Sequence, residues 1–187
     1  PVAMRLELKE GLNNCSIIND YYNSDFSSLD IALDFMVQQK QQLNKTIILS
    51  DILQSGKQDE ELYHSVATLL ASKGIKKIIG VGKNISAQKE FFPSSARFYT
   101  TTNDFIQSID LSLFKNETIL LKGARPFGFE RISTLFQKRV HETELEINLN
   151  SIVHNLNYFK SKILPKTKIM AMVKAFSYGS GSYEIAN

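Results

Sequence analysis

Residues 46–49 read Thr-Ile-Ile-Leu and residues 119–121 read Ile-Leu-Leu. Apart from Thr46, both runs are solidly apolar and do not alternate with polar residues, as is typical of strands buried on both faces of a parallel sheet. Similar short runs recur along the first 122 residues and are separated by amphipathic helical patterns. The predicted strands are Met4–Lys9, Cys15–Asp20, Thr46–Asp51, Lys77–Val81, Ala96–Thr101 and Thr118–Lys122. The alternation predicts an α/β fold with a mostly parallel sheet and helices on both faces.

The predicted helices begin and end at residues that commonly cap helices. The predicted starts are Ser27, Asp59, Asn84 and Asn103, and two predicted ends are Gly74 and Pro93. A last helix, with Phe129 and Ile132 on its apolar face, is predicted to end at about Arg139.

The pattern changes after Arg139, so we predict two domains, residues 1–140 and 141–187. Residues 144–149 alternate as a half-exposed strand does, and Asn150 then caps a helix that ends before Pro165. That helix has the apolar face Ile152, Leu156, Phe159 and Ile163, and a buried strand, Ile169–Val173, follows it and ends at Lys174.

Composition excludes several classes of protein. The 187 residues are 43% hydrophobic and 22% charged, which is typical of globular proteins, and the net charge of +3 is spread along the chain, which does not indicate a nucleic-acid partner. The single Cys15 excludes an internal disulfide framework. No apolar stretch approaches roughly 18 residues and no secretory signal is visible, so we expect a cytoplasmic protein without a membrane partner.

Two phosphate-binding motifs are absent. No Gly-Lys pair has the earlier glycine of a Walker A loop, and Gly80-Val81-Gly82 lacks the third glycine of a dinucleotide fingerprint. The three histidines are too dispersed to indicate a metal site.

Polar residues follow four predicted strands, at the edge where ligands bind to open α/β sheets. The four segments are Asp20-Tyr21-Tyr22-Asn23, Asp51, Gly82-Lys83-Asn84 and Lys122-Gly123-Ala124-Arg125. For Asp51 and Asn84 we predict only the capping of turns and helices.

The first and last of these segments carry a resemblance. Arg5-Leu6-Glu7-Leu8, Asp20-Tyr21-Tyr22-Asn23-Ser24-Asp25 with Ser28, and Lys122-Gly123-Ala124-Arg125 resemble the motifs R-x-E-L, D-x-Y-N-A-N-P-x-S and K-G-S-R. These belong to the Rossmann-like carboxyl-terminal domain of Mur ligases of the type that adds D-alanyl-D-alanine to UDP-N-acetylmuramoyl-tripeptide. This sequence departs from the motifs at Ser24-Asp25-Phe26 and at Ala124, which lacks the usual serine hydroxyl.

The resemblance implies a set of site residues. Arg5, Asp20, Tyr22 and Asn23 would bind nucleotide or substrate, and Lys122 and Arg125 would lie at the reaction cleft. ATP and magnesium would be held mainly by a separate central domain. Cationic side chains suit this chemistry because it passes through an acyl phosphate and an anionic tetrahedral species.

Residues 173–181, Val-Lys-Ala-Phe-Ser-Tyr-Gly-Ser-Gly, resemble the pyridoxal-phosphate attachment segment V-K-A-N-A-Y-G-H-G of alanine racemases, with Phe176 and Ser180 as departures. The resemblance implies the first strand-helix-strand elements of a racemase barrel. Lys174 would bind the cofactor aldehyde and act as a catalytic base on alanine, and Tyr178 would contact the phosphate. It also implies a homodimer through the racemase part.

Together the two resemblances imply a bifunctional enzyme of peptidoglycan precursor synthesis. A racemase barrel needs about 250 residues, and the ligase resemblance implies that a separate central domain holds ATP and magnesium. We therefore expect the isolated chain to be inactive in both reactions. Two alternatives are open: a receiver domain using Asp20, Asp51 and Lys122, which a centrally placed first strand would favour, and an interaction module without catalysis.

Overall fold

The computed structural model describes residues 5–53, 55–138 and 147–172. The chain divides into two compact units, residues 1–138 and 139–187. The described part of the first unit contains six strands, β1 (Glu7–Glu10), β2 (Ser16–Asp20), β3 (Asn44–Ser50), β4 (Lys77–Val81), β5 (Arg97–Tyr99) and β6 (Glu117–Lys122). Its α-helices are α1 (Phe26–Gln38), α2 (Asp59–Ser72), α3 (Lys83–Ala87), α4 (Thr102–Ser108) and α5 (Glu130–Phe136).

The strands form one sheet in the order β1-β2-β6-β3-β4-β5. The two apolar runs pair in its middle, where Ile47 lies opposite Leu120 in a parallel ladder. Only β1 runs antiparallel to its neighbour among the described strands. The predicted mostly parallel α/β fold is confirmed. The first strand lies at an edge of the sheet, so the receiver alternative lacks the central first strand that would favour it.

Alternate residues of the central strands pack into two separate apolar layers, because successive side chains of a strand point to opposite faces. One face carries Ile47, Leu49 and Leu120 against α1 and α2, and the other carries Ile48 and Leu121 against α4 and α5. Burial of each such side chain contributes about 1.5–3 kcal/mol. Helices therefore cover both faces of the sheet, as predicted.

The predicted caps of α1 and α4 each lie two residues too far along the chain, because another residue supplies the cap. Asp25, not Ser27, caps α1: its carboxylate accepts from the Ser28 backbone N–H at 2.8 Å, and the Asp25 N–H donates to the Ser28 hydroxyl at 3.2 Å. Thr101 caps α4 in the same way, so Asn103 lies inside that helix.

Two further boundaries differ from the prediction. Met4 of the first predicted strand lies outside the described residues. β1 begins at Glu7 because Leu6, with φ +48°, is in the left-handed region and breaks the extended conformation. α5 ends at Phe136 instead of Arg139, since Gln137 leaves the helix to form a β-bridge with Gly11.

The described part of the second unit is the helix α6 (Leu149–Lys162) and the chain that follows it to residue 172. Asn148 caps α6 by accepting from the Ser151 N–H at 3.1 Å, so the predicted cap at Asn150 and the predicted strand position of Leu149 are wrong. Residues 169–172 are not a strand, because no ladder partner pairs with them among the described residues.

The side chains predicted to form the inward face of α6 are exposed, with Phe159 64% and Leu156 40% accessible. Residues 144–146 and 173 of the two predicted strands lie outside the described residues. Among the helices that the structure describes, none combines the length and the apolar character needed to cross a bilayer.

We predict that Asp25→Ala lowers the free energy of unfolding by about 1 kcal/mol at neutral pH, because α1 loses its N-cap. The hydrogen bond from the Ser28 N–H lowers the pKa of Asp25 below its usual value. The charged cap thus stabilises the fold above the unfolded-state pKa of about 3.9, and this contribution is lost as the pH falls through the lower folded-state pKa.

Urea unfolding at neutral and acidic pH measures the effect. Ser27→Ala is the matched control, since Ser27 is exposed at the same turn. Asp25→Asn keeps an acceptor, and its difference from the wild type should shrink in acid. Equal stability of Asp25→Ala and Ser27→Ala would contradict the assignment of the cap.

Candidate functional site

The carboxyl ends of β2 and β6 hold a buried ion pair. Asp20 and Lys122 are register partners in the parallel ladder. The Lys122 Nζ lies 2.7 Å from Asp20 Oδ2 and donates a second hydrogen bond to the Asn23 carbonyl oxygen at 2.8 Å. The Lys122 side chain is only 1% exposed. Lys122 thereby fixes the loop that follows β2 against the end of β6.

Two opposing effects act on the pKa of Asp20 in this ion pair, namely burial and attraction to Lys122. Burial raises the pKa of Asp20, and the hydrogen bond and charge of Lys122 act in the opposite direction. Each ion alone would be costly in this environment, whereas together they are compensated.

Tyr22 lies in the loop fixed by Lys122 and binds two arginines. The guanidinium carbons of Arg5 and Arg125 each lie 4.6 Å from the centroid of the Tyr22 ring. Arg5 precedes the left-handed Leu6, and Arg125 opens the short 3₁₀ turn Arg125–Phe127 that follows β6. Such cation–π contacts contribute about 0.5–1 kcal/mol at exposed sites.

Neither arginine forms an ion pair with the acidic groups of the described residues, and both are exposed. The Tyr22 ring therefore holds two arginines that lack an ion-pair partner among the described residues at the carboxyl edge of the sheet. Guanidinium groups bind carboxylates and phosphates through paired hydrogen bonds, so this arrangement suits an anionic ligand.

The backbone between Lys122 and Arg125 is held from two sides. The Gly123 N–H donates to the Asp20 carbonyl oxygen at 3.2 Å, and the Ala124 N–H donates to the Ser50 hydroxyl at 2.8 Å. A β-carbon at position 123 would lie 2.7 Å from the Phe129 ring, so only glycine fits. Sequence reasoning missed Ser50, although its position at the end of β3 was a signal.

Asp51 caps the helix that follows β4, as predicted. Its carboxylate accepts from the backbone N–H groups of Asn84 at 3.2 Å and Ile85 at 2.8 Å. A β-carbon at position 82 would lie 2.2 Å from Asp51 Oδ1, so the capping requires Gly82. The helix starts at Lys83 and not after Asn84. Because Asp51 is only 5% exposed and already bonded, the receiver alternative loses its phosphate acceptor.

The predicted residues of the first unit thus fall into two groups. Asp20, Asn23 and Lys122 are joined by hydrogen bonds, and Arg5, Tyr22 and Arg125 are stacked beside them. Lys174 and Tyr178 lie outside the described residues.

The described residues do not form a cluster of metal-binding side chains. Among them, no group of three or more His, Cys, Asp or Glu side chains could hold a metal ion. The two acids of the segment that begins at the end of β2 are already bonded, Asp20 to Lys122 and Asp25 to the start of α1. The donor set therefore does not fit a resident divalent cation.

Comparison with known proteins separates the chain into two parts. The chain is 28% identical over 135 residues to the UDP-N-acetylmuramoyl-tripeptide--D-alanyl-D-alanine ligase of Bacillus subtilis (strain 168), a match that covers 70% of this chain and 30% of the ligase. The crystal structure of MurF from Acinetobacter baumannii superposes with a TM-score of 0.60 at 22% identity, covering 72% of this chain and 30% of that one, which supports the fold alone.

The C-terminal end matches a different family, described as alanine racemase, N-terminal domain, over residues 147–187. Alanine racemase 2 of Caldanaerobacter subterraneus subsp. tengcongensis is 43% identical over 47 residues, which are 25% of this chain and 12% of that racemase. Both resemblances found in the sequence are confirmed. The chain spans less than a third of the length of either relative.

We predict that Lys122→Met lowers the free energy of unfolding by about 3–5 kcal/mol, because it leaves the carboxylate of Asp20 buried without its cation. The double variant Asp20→Asn with Lys122→Met should recover part of the loss, since no unpaired charge stays buried. Urea unfolding of the two single variants and the double variant gives the coupling energy.

Lys73→Met is the matched control, because Lys73 is also a lysine in an ion pair, but its partners Asp30 and Asp34 lie on the surface of the unit. Loss of that pairing should cost about 0–1 kcal/mol. A cost for Lys122→Met no greater than that of Lys73→Met would show that the buried pair does not hold the loop.

Proposed function

We propose that this chain joins the last domain of a D-alanyl-D-alanine-adding Mur ligase to the first elements of an alanine racemase. The order of the two similarities along one chain supports this reading. The single structural observation that carries the ligase part is the pair of arginines stacked on Tyr22 at the carboxyl edge of the sheet.

In this proposal, the exposed arginines bind the anionic groups of the ligase reaction. The γ-phosphate of ATP passes to the peptide carboxylate, which forms an acyl phosphate and leaves ADP. The amine of D-alanyl-D-alanine then attacks the acyl carbon, phosphate departs, and the amine loses a proton. Arg125 and Arg5 would stabilise the negative charge that develops in these steps.

The family resemblance implies that Lys122 lies at the reaction cleft, but in this proposal Lys122 positions a loop instead of contacting the substrate. Its ammonium is buried and its hydrogen bonds go to Asp20 and the Asn23 carbonyl. We assign Asp20 and Lys122 to positioning the loop, with Tyr22 and Asn23 at the surface beside the nucleotide. Their loss would act through the placement of the arginines.

ATP and magnesium belong to the proposal only through another domain. Because the described acids do not fit a divalent cation, we derive no step from a metal held by this unit. UDP-N-acetylmuramoyl-tripeptide and D-alanyl-D-alanine are the proposed substrates, and the nucleotide-linked substrate favours a cytoplasmic location for the enzyme.

For the second unit, the proposal rests on sequence. Pyridoxal phosphate, bound through its aldehyde, would acidify the α-hydrogen of alanine. Lys174 would attach the cofactor and move that proton, and Tyr178 would contact its phosphate. A homodimer through this part is also proposed. The two activities are complementary, since racemisation supplies the D-alanine from which the ligase substrate is made.

We predict that Arg125→Ala, made in the protein encoded by the complete reading frame, lowers kcat/KM of the ligase reaction roughly 100-fold, the usual effect of removing one donor that stabilises developing charge. Release of phosphate that depends on both the tripeptide nucleotide and D-alanyl-D-alanine measures it. The 187-residue chain alone should show no such release.

Lys83→Ala provides the matched control, because Lys83 is an exposed cation that follows β4 at the same edge of the sheet. Tyr22→Phe keeps the ring and should retain activity, whereas Tyr22→Leu should not. Unchanged kcat/KM in a folded Arg125→Ala protein would refute the assignment of the ligase site.

We also predict that Lys174→Ala in the same full protein abolishes alanine racemisation and covalent attachment of pyridoxal phosphate. Borohydride reduction followed by peptide mass spectrometry reads the attachment directly, without turnover. Lys166→Ala is the control, since Lys166 is an exposed lysine of the same unit. Cofactor attached to another lysine in the unsubstituted protein would contradict the role of Lys174.

A further inference from the structure

A cavity lies away from the carboxyl edge of the sheet. Strands β4 and β5 form one side of it, and helix α4 and the 3₁₀ turn Leu111–Leu113 form the other. The cavity has a volume of about 220 Å³. Its apolar wall consists of Ile79, Tyr99, Phe105, Ile109 and Phe114, with Phe105 and Phe114 almost fully buried. The polar and charged side chains of its lining include Lys77, Arg97, Ser108 and Asp110.

Strand register places Arg97 on the wall of this cavity. In the parallel ladder Arg97 pairs with Ile79 and Tyr99 pairs with Val81. Paired residues of neighbouring strands share a face, and successive residues alternate. Arg97 therefore lies on the face that carries Ile79, Tyr99 and Phe105, whereas Phe98 packs into the opposite apolar layer.

The two cations of the cavity differ in what they can still bind. The Lys77 Nζ lies 2.9 Å from Glu117 Oε1, 3.0 Å from the Leu113 carbonyl oxygen and 3.7 Å from the centroid of the Phe114 ring. An ammonium has three donors, so these partners occupy Lys77. Arg97 forms no ion pair with the acids of the described residues.

Size and charge narrow the class of ligand. An engineered apolar cavity of about 150 Å³ binds benzene, so this volume admits one ring with a small substituent, but not a nucleotide. Asp110 adds a negative charge to the lining: the Ser112 N–H donates to its carboxylate at 2.9 Å, and hydrogen bonds from Ser112 lower its pKa. The cavity therefore offers one available cation, Arg97, and one negative charge, Asp110. This balance suits a ligand with a single negative charge better than a phosphate, which carries more.

We propose that this cavity is a binding site for a small apolar monocarboxylate, with the ring or branched chain against Phe105 and Phe114 and the carboxylate on Arg97. The site is separate from the arginine pair on Tyr22, and it does not depend on the ligase or racemase proposals. The carboxylate accepts paired N–H donors from one guanidinium, which is the preferred geometry for this contact.

Titration of the 187-residue chain with sodium benzoate, followed by NMR, tests the proposal. We expect shifts of the Tyr99 and Phe105 ring signals that saturate with a Kd in the millimolar range, as the ligand efficiency of a nine-atom fragment implies. Benzyl alcohol, which keeps the ring, should bind roughly tenfold more weakly because the charged hydrogen bonds are lost. Inorganic phosphate should not shift the rings.

Two variants make the test specific to the cavity. Arg97→Gln should weaken benzoate binding roughly tenfold, and Ser108→Phe should block the cavity from its exposed rim. Lys89→Gln removes an exposed cation elsewhere in the unit and should bind benzoate like the wild type. Absence of saturable shifts in the wild type, or equal binding in all three variants, would overturn the proposal.

Discussion

The buried ion pair between Lys122 and Asp20 is the constraint on which the carboxyl edge of the sheet depends. Lys122 ends β6, a strand with all six residues buried, and is itself only 1% exposed. Its burial is compensated because Asp20 ends the neighbouring strand at the same level and the Asn23 carbonyl accepts a second hydrogen bond. The loop after β2 is thereby tied to the end of β6.

This pairing also decides which cations are available to a ligand. The carboxylate of Asp20, at the end of β2, is bonded to Lys122. Arg5 and Arg125 are left without an acidic partner among the described residues and are held by the ring of Tyr22. A neutral ring fixes their direction without cancelling their charge, whereas a carboxylate in the same place would compete with an anionic ligand.

The features that were predictable from the sequence are those set by local chemistry. Continuous apolar runs identified the central strands, and motifs selected the six residues at the carboxyl edge. The stack of two arginines on Tyr22 was not predictable, because it joins residues 5, 22 and 125 through the pairing of β1, β2 and β6. The cap of α1 was misplaced because Asp25 and Ser27 are both common capping residues, and the Ser28 hydroxyl decides between them.

The strand predicted at residues 169–173 shows a second limit of prediction from sequence, which concerns strand pairing. An apolar run indicates burial, but a strand forms only when a neighbour supplies the ladder, and the described residues supply none there. β6 illustrates the opposite case. It carries a buried charge at each end: Glu117 bonds to Lys77 and Thr46 of β4 and β3, and Lys122 bonds to Asp20 of β2. A shift of the strand register by one residue would move each charge to the opposite face of the sheet and break both ion pairs. The two charged ends therefore fix the register, which the apolar residues 119–121 between them do not specify.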